Sequence, residues 1–523
     1  MKVCIIHFIL LALFSSQTKA QDSLYLVGTI TGESTEKQIT DISGVGDVNG
    51  DGYDDFMVSS RTGLIRKDQG IVKLYLGAAD GNLIPDVIFH YPGTDSLNDF
   101  GRGSGIGDVN GDDYNDFLIT GSFGDWGFPK GKAFLYLGGA SIDTLPVKEF
   151  YEPWIQDNFG YPAEAVGDIN KDGYDDFIIS SPYNWTDGKG YVYLFWGGDT
   201  ISFIRCDTLK GYESGDQFGL SAANIGDINN DGFDDIAVGA LYSSIPDSPL
   251  VRIYFGGNRI DTIPKYFLSG GDIYNAGDIN GDKNLDFIVF NGMINLYLSL
   301  DSNITFKGSY YVGTNGDINN DSYDDFILGE PNYTDSSGTM IGCILGFYGD
   351  ALFDTLFDFK MTGENKWDEY GKYVSIIGDI NGDGYTEVAV GALNYPDYQY
   401  PLGKVYVYSY KKLTNVKDGI KNTPNNFQLY QNYPNPFNPR TSITYNLPRA
   451  SAVTITIFDI LGNKIRSISN SSQSAGIQSI VWNGTNNNNS QVASGLYLYH
   501  FKAVSLEGKN EIFESTGKLL LLK

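Results

Sequence analysis

DVNGDGYDD, residues 47–55, places Asp47, Asn49, Asp51 and Asp55 at positions one, three, five and nine of a short loop, with Gly52 at position six. The same pattern returns as DVNGDDYND (108–116), DINKDGYDD (168–176), DINNDGFDD (227–235), DINGDKNLD (278–286), DINNDSYDD (317–325) and DINGDGYTE (379–387). Successive copies begin 39 to 62 residues apart, a period that marks a repeated supersecondary unit and not a scattered motif. The seven loops carry 26 acidic residues and 2 lysines, so they hold nearly all of the net charge of -28. Charge gathered in this way differs from a solubilising surface, where both signs are interspersed. It also argues against nucleic acid or an anionic membrane as partner.

The loops have the chemistry of a calcium site. Calcium takes six to eight hard oxygen ligands at about 2.3–2.6 Å. In the first copy Asp47, Asn49, Asp51 and Asp55 offer side-chain oxygens and Tyr53 its carbonyl, while Gly52 permits the left-handed turn that wraps the loop. The same roles fall on Asp108, Asn110, Asp112, Tyr114 and Asp116, on Asp168, Asn170, Asp172, Tyr174 and Asp176, and on Asp227, Asn229, Asp231, Phe233 and Asp235. They continue on Asp278, Asn280, Asp282, Asn284 and Asp286, on Asp317, Asn319, Asp321, Tyr323 and Asp325, and on Asp379, Asn381, Asp383, Tyr385 and Glu387. The start resembles an EF-hand loop, but position twelve is Val58 instead of Glu and the flanks read as strands. Up to seven calcium ions are therefore expected. Asp113, Lys283 and Ser322 stand at position six where glycine is favoured, and the fifth loop, with Lys283 and Leu285, is expected to be the weakest site.

The surroundings of the loops repeat as well. Upstream stand Phe100-Gly101, Phe159-Gly160, Phe218-Gly219 and Tyr370-Gly371; downstream come apolar runs such as FIIS and IAVG, then strands ending in paired glycines such as GKAFLYLGG and GYVYLFWGG. With 64 Gly, 37 Tyr and 31 Phe, the chain reads as all-β, each unit supplying four short strands. This pattern resembles the FG-GAP repeat of integrin α-subunit propellers over residues 21–412, which implies a seven-bladed β-propeller. LYLVGTITGE near the start matches FDFKMTGEN, so residues 24–32 are expected to supply the outer strand of the blade that holds the seventh loop. That pairing would remove the open edges of a linear array.

The ends read differently. Met1-Lys2, the apolar run Val3–Phe14 and the small residue Ala20 form an export signal over 1–20, too short for a membrane span. The rest contains only Cys206 and Cys343, expected to be buried small apolar residues, so calcium takes the place of a disulfide framework. Residues 413–426 read as a linker, and 427–523 as a small Ig-like β-sandwich with strands at VTITIFDI, IQSIVW and GLYLYHF. YPNPFNP, FDILGNKI, Trp482-Asn483-Gly484, VASGLYLY and the final GKLLLLK resemble the C-terminal sorting domain of type IX secretion cargo. That resemblance implies the secretion machinery as a partner and a secreted or cell-surface location beyond the outer membrane.

No catalytic constellation is visible. Beyond the signal only His90 and His500 remain, in unrelated contexts, and neither a nucleophile elbow nor a phosphate loop occurs. The expected function is non-catalytic adhesion or recognition of an extracellular protein or glycan by a monomer. The alternative is a calcium-dependent polysaccharide lyase or hydrolase on the same scaffold. Aromatic insertions at 123–128 with Trp126, 183–185, 242–249 and 395–400 are the candidate contact loops.

Overall fold

Every regular element among the described residues is a β-strand, as the glycine, aromatic and β-branched content requires. The computed structural model describes residues 23–411 and 427–521, except 33–37, 62–69, 94–97, 124–130, 152–157, 184–186, 200–205, 241–250, 307–309, 396–401, 430–436, 438–439, 474–475, 507–511 and a few single positions. The segments expected to form the export signal and the linker, and most of the four aromatic insertions, lie outside the described residues. Two compact units emerge, Ser23–Lys412 and a C-terminal unit that begins at Leu413.

Among the described residues, the first unit holds seven four-stranded antiparallel sheets. Sheet I comprises Gln38–Gly46, Asp55–Arg61, Ile71–Tyr75 and Val87–His90; sheet II comprises Asn98–Gly107, Asp116–Phe123, Lys132–Tyr136 and Lys148–Tyr151. Sheet III is Ala163–Gly167, Asp176–Ser181, Tyr191–Phe195 and Cys206–Lys210, and sheet IV is Phe218–Asn224, Ile236–Ala240, Val251–Tyr254 and Tyr266–Leu268. Sheet V is Asp272–Gly277, Asp286–Phe290, Ile294–Ser299 and Ser302–Phe306, and sheet VI is Tyr311–Gly313, Phe326–Glu330, Cys343–Phe347 and Phe359–Thr362. Sheet VII takes Tyr370–Gly378, Glu387–Ala392 and Lys404–Lys411 from the far end of the unit and Ser23–Thr31 from its beginning. Thr31 pairs with Lys404 and Ser23 with Lys411, as the match between the two segments anticipates.

The first strand of every sheet lines one shared channel of about 680 Å³. The sheets therefore stand around a single axis in a propeller-like ring. Second and third strands are sandwiched between neighbouring sheets, which is why runs such as Ile71–Tyr75 and Ile236–Ala240 are buried at every position. Outer strands alternate, as in Val87–His90, where only Phe89 is buried. A stacked aromatic pair recurs just beyond the acidic loop: Phe56–Tyr75, Phe117–Tyr136, Phe177–Phe195, Phe287–Tyr297 and Phe326–Phe347, with centroids 4.8 to 5.3 Å apart. Cys343 is buried as expected.

In the C-terminal unit, a three-stranded sheet (Gln428–Leu429, Thr441–Leu447, Gly476–Trp482) accompanies a four-stranded one (Lys464–Gln473, Ser451–Asp459, Gly495–Ser505, Ile512–Leu521). Their alternating inward residues close one core around Trp482, Tyr445, Tyr499 and Phe501. The Trp482 indole donates to the Thr485 carbonyl at 2.9 Å, so its buried N–H is satisfied.

Candidate calcium loops and their junctions

Each acidic loop connects the first and second strands of one sheet. All seven share an internal scaffold made by the carboxylates themselves. The position-one carboxylate accepts the position-six N–H in every copy, at 2.6 to 2.8 Å. The position-five carboxylate accepts the position-seven N–H at 2.9 to 3.2 Å. The position-nine carboxylate accepts the position-two N–H at 2.7 to 3.2 Å. This folding requires left-handed backbone at position six throughout, including Asp113 (φ 68°), Lys283 (φ 72°) and Ser322 (φ 74°). Position four is left-handed as well, a constraint the sequence reading missed: it is Gly in loops one, two, five and seven, but Lys171, Asn230 and Asn320 elsewhere. Loop six alone carries two non-glycine residues in this strained region.

Position nine is the most enclosed. Asp55, Asp116, Asp176, Asp235, Asp286, Asp325 and Glu387 are all buried. Burial pushes Asp55, Asp116, Asp235 and Asp286 up to about 7 and Asp176 and Glu387 to about 8; the position-one and position-five carboxylates add repulsion, against the opposing effect of the N–H donors. Asp325 is raised well above the usual carboxylate range, for the same reasons. Asn at position three turns toward position five in loops one to three, and toward position nine in loops four, five and seven. In loop six the Asn319 Oδ1 is buried with no partner. Among the described residues no three carboxylate, imidazole or thiol groups converge as closely as ligands of one ion do. The donor set nevertheless suits a hard divalent cation: it is all oxygen, mutually repelling, and in loop six includes an orphaned acceptor.

The sequence reading assigned no role to position eight or to the position-seven side chain. Both join neighbouring sheets. At the VII–I junction the Asp54 N–H donates to the Asp379 carbonyl at 3.1 Å, and the Asp379 N–H returns to the Asp54 carboxylate at 2.8 Å. Asp175 with Asp108 and Asp324 with Asp278 repeat both bonds, and Asn115 with Asp47 repeats the first. At the same four junctions the residue after the first glycine of the third-strand turn donates to the position-two carbonyl of the preceding loop, as Ala78 does to Ile380 at 2.8 Å and Gly139 to Val48 at 2.8 Å.

The position-four glycine makes this possible. A Cβ on Gly50, Gly111, Gly281 or Gly382 would lie 2.4 to 2.6 Å from the ring of Tyr114, Tyr174, Tyr323 or Tyr53 on the next loop. Where position four is Lys171, Asn230 or Asn320, none of these backbone bonds forms among the described residues. The glycine that follows the third strand also finds a reason here, since Gly77, Gly138, Gly197, Gly256 and Gly349 donate to the position-nine carboxylate at 2.7 to 2.9 Å.

Three segments, 161–195, 218–254 and 375–408, match the FG-GAP repeat family, and residues 438–508 match the FlgD Ig-like domain family. The chain is similar to integrin α subunits. It is 38% identical to human integrin alpha-6 over 154 residues, which is 28% of this chain and 13% of that protein. Integrin alpha-5 of Xenopus laevis is 31% identical over 183 residues (33% of this chain, 16% of that protein), and integrin alpha-V of Gallus gallus 28% over 212 residues (38% and 19%). The chain thus spans less than a fifth of the length of these curated relatives. A solved structure of FlgD from P. aeruginosa aligns at 20% identity with a TM-score of 0.14, covering 17% of this chain and 65% of that one.

The histidines stand apart from the loops. His90 is exposed at the end of the outer strand of sheet I, and His500 lies 3.9 Å from Glu514 on the C-terminal sheet. No helix among the described residues is long and apolar enough to cross a membrane.

Proposed function

We propose that the chain is an exported, calcium-stabilised, seven-bladed propeller that acts as a non-catalytic adhesion or recognition module for an extracellular protein or glycan. The observation that carries this reading is the recurrence of one oxygen-rich loop at the same place in all seven sheets of the ring, together with the similarity to integrin α subunits. Calcium at Asp47–Asp55 and at its six counterparts would neutralise carboxylates that otherwise repel one another within each loop. The C-terminal sandwich is read as the type IX sorting domain that delivers the ring to the cell surface, with the secretion machinery as its partner.

Two measurements test this reading. Titrating the chelated protein with calcium should restore a melting temperature that chelation lowers, and magnesium should not substitute. Incubating the full chain with a glycan array and a panel of polysaccharides should give retention without shortened or unsaturated products. Released oligosaccharides would replace the recognition reading with the enzymatic one.

A further inference from the structure

The channel on the ring axis is a second place where chemistry is concentrated. Internal repetition makes equivalent positions of the seven first strands face one another, yet the residues there differ from sheet to sheet. A rigid scaffold with varied groups at its centre is the general form of a small-molecule site, and about 680 Å³ falls within the usual range of roughly 300–1,000 Å³.

One wall is ionic. Asp41, Arg102 and Glu164 come from sheets I, II and III and sense one another's charge. Arg102 lies 4.3 Å above the Tyr161 ring, which orients the guanidinium. Burial raises Asp41 to about 6, against the Arg102 charge, and burial together with Asp41 raises Glu164 to about 7. The opposite wall is aromatic, with Tyr274 from sheet V and Tyr311 from sheet VI, and the Lys372 ammonium of sheet VII lies 4.9 Å from the Tyr311 ring centre. Among the described residues, the side chains of Glu164, Asp272 and Tyr274 reach the channel with no hydrogen bond from another protein group. Glu164 is exposed to the channel and Asp272 and Tyr274 are half-buried along it, so their polar atoms are left for water or a ligand to engage.

The arrangement discriminates between ligand charges. An anion would meet three carboxylates. A cation would meet Arg102, held over the Tyr161 ring, and Lys372. A hydroxyl both donates and accepts, and vicinal hydroxyls match alternating acceptor, donor and acceptor groups; the Tyr274 ring suits the C–H face of a sugar. We infer that the channel binds a neutral, hydroxyl-rich small molecule, a sugar ring or the end of a sugar chain, between the Asp41–Arg102–Glu164 wall and the Tyr274–Tyr311 wall. The inference rests on the recognition reading and gives it a site and a ligand class.

Titration calorimetry of the calcium-loaded full chain with glucose, galactose, mannose and N-acetylglucosamine tests it, with choline and acetate as charged comparators. At least one sugar should bind saturably and neither comparator should. Glu164→Gln and Arg102→Met should weaken that binding roughly tenfold or more. Ala165→Trp, which fills the channel without changing its charge, should abolish binding while leaving the melting temperature unchanged, and it guards against misfolding of the charge variants. Binding of choline or acetate in place of sugars would overturn the inference, as would sugar binding that survives all three substitutions. If the unaltered chain is retained on a glycan array and the Ala165→Trp variant is retained equally, recognition stands and the channel assignment falls; if neither array nor titration detects a glycan, the channel assignment falls and the recognition reading is left with a protein ligand alone.

Discussion

The VII–I and IV–V junctions join equivalent edges of equivalent sheets, yet they are held by different forces. At VII–I the two loops exchange backbone and carboxylate hydrogen bonds, and the Tyr53 ring lies against Gly382. At IV–V position four is Asn230, and loop five presents Asn284 and Leu285 instead of a ring and a carboxylate. Leu285 packs against the backbone at Gly226. The rest of that junction is an apolar cluster of Ala223, Ile225, Val251, Ile273, Phe287 and Val289, reinforced by the Ser221 hydroxyl bridging the Gly271 carbonyl and the Ile273 N–H. A glycine at position four thus decides whether the loops latch, because only an absent side chain lets the neighbouring ring and its backbone approach.

Calcium removal should have the largest effect, since a site saturated a hundredfold above its Kd contributes about 2.7 kcal/mol. Chelation should lower the melting temperature, and hydrogen exchange should then open the IV–V edge before the VII–I edge. Uniform opening would break the comparison. The effect should depend on pH. Six of the position-nine carboxylates of the metal-free protein are raised to about 7 or 8, above the unfolded value of about 4, and Asp325 is raised as well. The folded protein therefore holds more protons in that window, and its metal-free stability is greatest below about pH 4 and falls as pH rises through 7 to 8. Chelation should accordingly lower the melting temperature more at pH 8 than at pH 5.

Gly382→Ala comes next. It places a Cβ 2.5 Å from the Tyr53 ring at φ 73°, and strain plus overpacking should cost about 2–4 kcal/mol in denaturant unfolding. Asn230→Gly at the equivalent position of loop four should be neutral or stabilising by less than about 1 kcal/mol. Asp54→Ala leaves the Asp379 N–H without its acceptor and should cost about 1–3 kcal/mol. Leu285→Asp should not create a latch alone, whereas Asn230→Gly with Leu285→Asp should show a favourable coupling of about 0.5 kcal/mol or more in a double-mutant cycle. The smallest effect is expected of Ser322→Gly, which relieves left-handed strain in loop six and should stabilise by about 1 kcal/mol at most.

Much of this was legible in the chain. Seven loops at a regular period predict seven sheets, apolar runs mark their buried strands, and the likeness of residues 24–32 to 357–365 anticipates how the ring closes. Position six was readable as left-handed from its glycines. Position four was not, because Lys171, Asn230 and Asn320 hide the requirement. The tyrosine at position seven was read only for its carbonyl, since nothing near it in sequence shows what its ring touches.

The sequence alone determined what recurs within one repeat, because turn geometry, strand period and the carboxylate scaffold depend on residues a few positions apart. The tertiary structure decided what lies between repeats. Asp54 and Asp379 are separated by 325 positions and meet only because the ring closes. Asp41, Arg102 and Glu164 sit on separate strands with no local signature, and they become one wall only when seven first strands turn the same face to a common axis.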